Sequence, residues 1–246
     1  MRVAALYDIH GNLPALEAVI REVRNAGVDQ VVVGGDVVVG PMTRDTLSCL
    51  TQFDVPIKFI QGNAEVAVLT EMAGTPTTLP EQIRQVIAWD AEQLREYQTV
   101  LASWPKTLRL AVLPLGDVLF CHATPRDENE IFLRTTSEEV LRPIFDAANA
   151  RLVVCGHTHM QFDRMIGGTR VINAGSVGMP FQDPGAYWLL LDGDVHLRRT
   201  VYDLDAAAAR IRSTQYPQAE QFAANNVLQP PTEAAMREMF SKFEVR

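Results

Sequence analysis

Polar side chains that can bind metal ions follow several short apolar runs of this 246-residue sequence, each near the end of the run. Their types are imidazole, carboxylate and carboxamide, which supply the nitrogen and oxygen ligands that divalent metals accept. No thiolate accompanies them, which argues against a structural zinc site. In chain order, the seven candidate ligands are Asp8, His10, Asp36, Asn63, His122, His157 and His159.

The use of histidine strengthens this interpretation. The chain has 5 histidines, and only His196 falls outside the set. A single loop histidine is more often a hydrogen-bonded structural residue than a ligand, but this alternative does not explain several in matching positions. Asp8 and Asp36 could instead cap helices or form turns. We therefore expect the histidines and aspartates to share a site, and His196 to be a surface residue.

The elements that position these residues alternate between strand and helix. Strands are predicted over Arg2–Tyr7, Gln30–Val33 and Ile57–Gln61, with helices from Leu13 to Gly27 and over roughly Arg44–Phe53. This order implies parallel strands with right-handed crossovers. Because the carboxyl ends of such strands meet in a ligand-binding crevice, the candidate ligands are expected to converge there.

The rest of the chain is divided into a helical and a strand-rich part. Residues 69–97 are predicted to form a helical insert, interrupted by a turn cluster at 74–80, and two surface helices are expected within 203–246. No repeat or convincing linker separates these parts, so residues 1–246 are expected to form a single domain. Between them, further strands are predicted over Leu108–Val112, Val118–Cys121, Leu152–Cys155, Arg170–Ile172, Tyr187–Leu191 and Val195–Val201.

Composition excludes several classes of protein. With 47% hydrophobic residues the chain can bury a core, and its formal net charge of −8 disfavours binding to nucleic acid. Its 3 cysteines form no Cys-x-x-Cys pair, so no disulfide framework is indicated. No apolar run approaches the roughly 18 residues of a membrane span, and the first apolar run is too short for a signal peptide. A cytoplasmic protein without a membrane partner is expected.

The candidate ligands lie in five short sequence motifs. They are Asp8-Ile9-His10-Gly11-Asn12, Gly35-Asp36, Gly62-Asn63, His122 and Gly156-His157-Thr158-His159, followed by Asn173-Ala174-Gly175-Ser176. This series resembles the signature of the calcineurin-like metallophosphoesterase superfamily, and most resembles its small bacterial phosphodiesterase branch. The resemblance extends from residue 2 to about residue 201. It implies an α/β fold: a four-layer sandwich of two mixed β-sheets packed face to face, with flanking helices.

The resemblance also implies two divalent metal ions. One would be bound by Asp8, His10, Asp36 and His159, and the other by Asp36, Asn63, His122 and His157, with Asp36 bridging. Such a pair can clamp the attacking and leaving oxygens of an in-line displacement, with a bridging hydroxide as the nucleophile. Manganese is the expected metal, with iron, zinc, magnesium and nickel as alternatives.

The third block departs from the family pattern. Many relatives carry a histidine after Gly-Asn, as proton donor to the leaving group, whereas this chain has Ala64. Glu65 follows, with an ordinary pKa near 4.3 that would leave it mostly ionised at neutral pH. No side chain is therefore assigned as the catalytic proton donor. Tyr7, where a small residue is commoner, is expected to pack at the strand end.

Three residues are candidates for contact with substrate phosphate. Asn63 is one, and Arg126 is close enough in sequence to His122 to bind phosphate bidentately, although a solvated surface arginine fits equally well. Asn12 is expected to cap a helix first and to contact phosphate second.

These features predict a metal-dependent phosphoesterase acting on a small phosphorylated substrate, either a diester or a monoester. Two alternatives use the same signature. The first is a protein phosphatase or dinucleoside polyphosphatase, which the absence of Asp-Arg after Gly35-Asp36 disfavours. The second is a non-catalytic metal-binding scaffold, which the complete ligand set disfavours and Ala64 mildly favours. The substrate, the metal and the oligomeric state stay open.

Overall fold

The computed structural model describes residues 1–245 and contains ten strands and nine α-helices in that range. The strands are β1 (Val3–Leu6), β2 (Gln30–Val33), β3 (Ile57–Phe59), β4 (Thr107–Val112), β5 (Gly116–Cys121), β6 (Leu152–Cys155), β7 (Phe162–Ile166), β8 (Thr169–Asn173), β9 (Ala186–Asp192) and β10 (Asp194–Thr200). The helices are α1 (Leu13–Ala26), α2 (Thr43–Thr51), α3 (Asn63–Met72), α4 (Glu81–Gln93), α5 (Gln98–Ala102), α6 (Glu138–Ala147), α7 (Leu204–Arg212), α8 (Ala219–Phe222) and α9 (Glu233–Phe240).

The strands form two mixed sheets of five strands each. The first has the order β10-β9-β1-β2-β3, in which β1, β2 and β3 are parallel and β9 and β10 are antiparallel neighbours. The second has the order β4-β5-β6-β8-β7, in which β5, β6 and β8 are parallel. This confirms the predicted parallel order of the first three strands.

Strand β1 shows how the layers pack. Val3 and Ala5 lie in the apolar cluster between the sheets, with Phe120 and Val154 of the second sheet. Ala4 and Leu6 alternate to the other face and pack against α1. The second sheet is covered on its outer face by α6. These layers confirm the four-layer α/β sandwich.

The first helix begins and ends where the sequence predicts. The Asn12 side chain accepts a hydrogen bond of 3.2 Å from the Ala15 amide, which caps α1. Gly27 adopts a left-handed conformation with φ of 60° and ends the helix. Pro14 lies in the first turn, where its missing N–H costs nothing.

Three expectations need correction. Helix α3 begins at Asn63, six residues before the predicted insert, and the Glu65 carboxylate in its first turn accepts the N–H of the preceding Gly62 at 2.7 Å. Helix α6 and strand β7 lie in stretches to which no element was assigned. The C-terminal part contains α7 and α9 as predicted, but α8 and a π-helical segment at 223–228 lie between them. Ala208, Ile211 and Phe222 are buried there, so α7 and α8 are not merely surface helices.

Within residues 1–245, none of the helices combines the length and the apolar character needed to cross a membrane.

Candidate metal centre

Both sheets contribute to one cluster of polar residues at the carboxyl ends of their strands. Asp8 and His10 follow β1, Asp36 follows β2 and Asn63 follows β3, so four candidates come from the first sheet. His122 follows β5, while His157 and His159 follow β6 of the second sheet. The expected convergence of strand ends is therefore present in the fold.

The backbone at these residues is unusual. Five of the seven candidate ligands have positive φ, a conformation that costs a non-glycine residue about 1–2 kcal/mol. Val39 and Asn149 are the other non-glycine residues with positive φ in the described chain. Such strain persists only where the surrounding structure over-determines it, and it concentrates at functional sites. The five are Asp8 (54°), His10 (46°), Asp36 (52°), His157 (67°) and His159 (59°).

Two glycines permit the close approach of these loops. A Cβ on Gly62 would lie 2.2 Å from Asp36 Oδ1, and one on Gly35 would lie 2.8 Å from His122 Nδ1. Gly35 also has a φ of 92°, which side chains disfavour. Any larger residue at either position would displace a candidate ligand.

One compact group is formed by Asp8, His10 and His159, all buried. The Nε2 atoms of His10 and His159 lie 3.3 Å apart, and His159 Nε2 lies 3.4 Å from Asp8 Oδ1. Asp36 Oδ2 lies 3.7 Å from His10 Nε2. These atoms can bind one cation between them.

A second compact group is formed by Asp8, Asp36 and His122. His122 Nε2 lies 3.5 Å from Asp36 Oδ1, 3.8 Å from Asp8 Oδ1 and 2.9 Å from Asn63 Oδ1. The two oxygens of Asp36 therefore face different histidines, His10 and His122. This arrangement suits a carboxylate shared by two cations.

His157 lies beside the second group without belonging to either. Its ring centroid is 5.2 Å from that of His122, and its backbone N–H donates to Asp8 Oδ2 at 2.9 Å. It is only half-buried. The structure thus brings His157 to the edge of the centre.

Backbone carbonyls fix the orientation of two histidines. The Nδ1 atom of His122 lies 2.9 Å from the Gly34 oxygen, and that of His159 lies 2.7 Å from the Met179 oxygen. Because a carbonyl oxygen only accepts, Nδ1 must carry the proton, and the neutral ring then presents its lone pair at Nε2. This is the usual arrangement of metal-binding histidine.

A buried carboxylate oxygen without a hydrogen-bond partner indicates that these residues fit a metal ion. Asp8 Oδ1 is buried without a hydrogen-bond partner, although it belongs to both groups. Buried polar atoms are nearly always satisfied, and a cation bound with His10 and His159 would satisfy this one. The residues present therefore fit divalent metal ions.

The electrostatics of the centre agree with this fit. Burial lowers the pKa of His122, but the carboxylates of Asp36 and Asp8 outweigh it and raise the pKa to about 10. Burial and the neighbouring His122 lower the pKa of His157 to about 4. The carboxylates thus attract positive charge strongly, and a bound cation would take the place of a proton at His122.

Glu65 has a structural position that its sequence context did not reveal. It is fully buried, and its carboxylate accepts N–H groups from Gly62 (2.7 Å), Asp36 (2.8 Å) and Val37 (2.8 Å). Burial and the charge of Asp36 raise its pKa to about 7, so the expected ordinary pKa is wrong. Glu65 ties the loop after β2 to the start of α3.

Sequence reasoning also missed two residues that hold the backbone of the site. Asn173 Nδ2 donates to the main-chain oxygen of Gly156 at 2.6 Å, next to the His157–His159 turn, and Ser176 Oγ donates to the main-chain oxygen of Asp8 at 2.7 Å, in the loop after β1. Both belong to the Asn173–Ser176 block, whose presence in the sequence was the available signal.

The predicted phosphate contacts lie in different environments. The Asn12 amide is fully buried, accepts from Ala15 and donates to the Gly178 oxygen at 2.9 Å, so its structural role leaves no exposed surface for a ligand. Arg126 is exposed and its Nε donates to Glu130 at 2.8 Å. Asn63 is half-buried at the centre itself.

Two other predictions are confirmed. Tyr7 is fully buried, packs between the sheets and donates to the Val154 oxygen at 3.0 Å. His196 is exposed on β10, the edge strand of the first sheet.

Comparisons with solved structures support the fold. A hypothetical protein from Pyrococcus horikoshii is 18% identical, with a TM-score of 0.79, over 90% of this chain and 97% of that one. A metallophosphoesterase from Sphaerobacter thermophilus is 24% identical, with a TM-score of 0.70, over 92% of this chain and 100% of that one. An archaeal phosphodiesterase is 16% identical, with a TM-score of 0.50, over 81% and 99%.

The family is shown by the sequence itself. No curated protein sequence gives a significant match. The family model described as "Calcineurin-like phosphoesterase superfamily domain" matches residues 1–195, which include all seven candidate ligands. The chain therefore belongs to the calcineurin-like phosphoesterase superfamily and is a metal-dependent phosphoric ester hydrolase.

Proposed function

We propose that this protein hydrolyses a small phosphodiester or phosphomonoester with two divalent metal ions bound side by side. The observation that carries the proposal is the position of Asp36, whose two oxygens face His10 and His122 in neighbouring groups of buried ligand atoms. Asp8 belongs to both groups, which supports two adjacent sites rather than one.

The ligand assignment follows the same geometry. We assign Asp8, His10, Asp36 and His159 to one ion, and Asp36, Asn63, His122 and His157 to the other. Short distances between ligand atoms support every member except His157, which is included for its position beside His122. Manganese is the metal we expect, because mixed nitrogen and oxygen ligands accept it and availability often decides occupancy.

When bound, two such ions would stabilise negative charge on the phosphoryl oxygens and make water acidic enough to attack at neutral pH. The chain's own residues hold the geometry. The carbonyls of Gly34 and Met179 keep the Nδ1 protons of His122 and His159 in place, and Glu65 fixes the loops that carry Asp36 and Asn63. Ala64 has no proton to give to the departing group.

We also propose that residues 1–246 act as one domain. Val86 and Trp89 of α4 pack with Ala207, Ile211 and Phe222 of the C-terminal helices, so the predicted insert and the C-terminal part share an apolar cluster.

Turnover of bis(p-nitrophenyl) phosphate and p-nitrophenyl phosphate, with and without added manganese, tests the proposal. We expect metal-dependent hydrolysis of at least one ester by the chelator-treated and reloaded protein. Retention of two metal ions per chain without turnover of either ester would contradict it and favour a metal-binding scaffold.

A further inference from the structure

A cavity of about 200 Å³ adjoins the metal centre, between α3, the turn before α4, α4 itself and the loop after His122. We call it the α3–α4 pocket. Asn63 lies in its wall, and Asn63 Oδ1 is also 2.9 Å from His122 Nε2. Because one side chain belongs to both the pocket and the centre, a substrate phosphate at the centre can carry a substituent into the pocket.

The exposed lining of the α3–α4 pocket is mainly apolar, although Thr70, Thr77 and Asn129 also line it, beside Asn63, Glu71 and Arg84. Val66 and Ala67 face it from α3, Leu79 from the turn and Ile87 from α4. An apolar protein cavity of about 150 Å³ accepts benzene. A space of this volume and lining therefore suits one ring-sized apolar group.

The charges around the pocket argue against a second phosphate. Arg84 is the one cationic side chain among the described residues that line it, and its guanidinium is already paired with Glu81. Glu71 adds a negative charge at the same wall. Binding another phosphate there would require unpaired cations or backbone N–H groups, so a polyphosphate chain does not fit this pocket.

We propose that the α3–α4 pocket binds one ester substituent of the substrate, an apolar group of about the size of a single ring that carries no further phosphate. This inference rests on the proposed function, because it assumes that a phosphoryl group binds beside Asn63. It restricts the substituent that enters this pocket to a ring-sized organic group without a phosphate of its own.

Binding of two phosphonates, which are not hydrolysed, tests the pocket separately from catalysis. Phenylphosphonate and methylphosphonate share the anionic group and differ only in the substituent. We expect the manganese-loaded protein to bind phenylphosphonate about 10-fold or more tightly, by calorimetry, since filling an apolar pocket typically discriminates by 10–200-fold. The same ratio should appear in their competitive inhibition of bis(p-nitrophenyl) phosphate hydrolysis.

Three variants test whether the preference for phenylphosphonate arises in the α3–α4 pocket. Ala67→Phe fills the pocket and should remove the preference for phenylphosphonate while methylphosphonate binding changes little. Ala73→Phe places the same ring on an exposed position at the end of α3, outside the pocket, and should keep the preference. If Ala67→Phe does not fold, Leu79→Ala, on an exposed turn, should weaken the preference by removing part of one wall.

The outcomes separate the two proposals. Equal affinity for the two phosphonates overturns the pocket even if esters are hydrolysed. So does a preference that persists in Ala67→Phe or, where that variant does not fold, in Leu79→Ala. A preference that depends on the pocket, combined with no turnover of any ester, supports the pocket and contradicts the proposed hydrolysis.

Discussion

The Nε2 atoms of His10 and His159 face each other at 3.3 Å, although the two residues are 149 positions apart in the chain. Two neutral imidazoles cannot both direct lone pairs at each other without repulsion, so this contact needs a proton or a cation between the rings. A neutral His10 can supply that proton from its own Nε2, and a cation bound by both rings would take the place of this proton.

We therefore expect metal to stabilise the folded protein. A ligand that binds only the native state adds about 2.7 kcal/mol at a concentration 100 times its dissociation constant. Thermal unfolding followed in excess chelator and then with added manganese should show a higher Tm with metal. Identical transitions in both conditions would mean that the facing histidines do not bind the ion.

Replacement of Asp36 by Asn should have the largest effect at the centre. Asparagine offers one oxygen where Asp36 offers two, facing His10 and His122. We expect loss of at least one metal ion per chain and of nearly all turnover, measured by elemental analysis and ester hydrolysis. Asp117→Asn, on an exposed position of β5, is the matched control. Two retained ions with full turnover in Asp36→Asn would reject the shared carboxylate.

We expect Phe181 to hold the imidazole of His159 in the orientation seen at the centre. Its ring stacks on the His159 imidazole at 4.6 Å and 20°, and Phe240 of α9 packs behind it at 6.0 Å. Residues that orient a ligand typically change metal affinity by 10–100-fold. We expect Phe181→Leu to weaken manganese binding about 10-fold with little loss of secondary structure. Phe53→Leu, a half-buried phenylalanine packed on another cluster, should leave metal binding intact.

The alanine at position 64 should make turnover sensitive to the leaving group. A positioned general acid contributes about 10²–10⁴-fold, mostly for basic leaving groups. We expect kcat to fall steeply from p-nitrophenyl to alkyl esters, and Ala64→His to accelerate alkyl esters more than p-nitrophenyl esters. A flat dependence that this substitution does not alter would show that another group supplies the proton.

Asp90 should make stability depend on pH. It is buried and accepts hydrogen bonds from Thr43 and the Val39 and Gly40 amides, and burial, partly offset by those bonds, raises its pKa to about 7. Between its unfolded pKa near 3.9 and about 7, the folded state holds a proton that the unfolded state has lost. The contribution of Asp90 to the free energy of unfolding therefore falls as pH rises, by at most about 1.4 kcal/mol per pH unit.

The comparison is with Asp90→Asn, which cannot titrate. Urea unfolding between pH 4 and 7 should show that the wild-type protein loses stability relative to this variant as pH rises. A constant difference across this range would mean that Asp90 stays ionised in the folded protein.

The positions of the candidate ligands were predictable because they follow apolar strands directly. Gln30–Val33 and Leu152–Cys155 have the predicted bounds, and the residues after them lie at the centre. Helix α6 was not predictable in the same way, since Pro143 lies inside it and argues locally against a helix. Strand β7 was not predicted either: only some of its residues are buried, and it pairs with a single neighbour at the edge of the second sheet.

Other features depend on contacts between distant residues. The sequence leaves Glu65 with an ordinary ionised carboxylate, yet besides the nearby Gly62 its partners come from the loop after β2, 27 to 29 positions away. The start of α3 at Asn63 depends in part on a local contact, the hydrogen bond from the Gly62 amide to the Glu65 carboxylate. The left-handed conformation of Asp8 and His10 accompanies hydrogen bonds to the loop after β2, from the Asp8 amide to the Gly35 oxygen and from the His10 amide to the Asp36 oxygen, and these contacts are not visible in the local sequence.

The division of the ligands between two sheets has a consequence for biosynthesis. The first 63 residues contain Asp8, His10, Asp36 and Asn63, whereas the partners of these residues lie between positions 122 and 159. A nascent chain therefore exposes half of a cation-binding constellation long before the other half has left the ribosome. During that interval the carboxylates of Asp8 and Asp36 and the imidazole of His10 can bind a metal ion only weakly. The complete set of ligands forms only when the second sheet docks on the first.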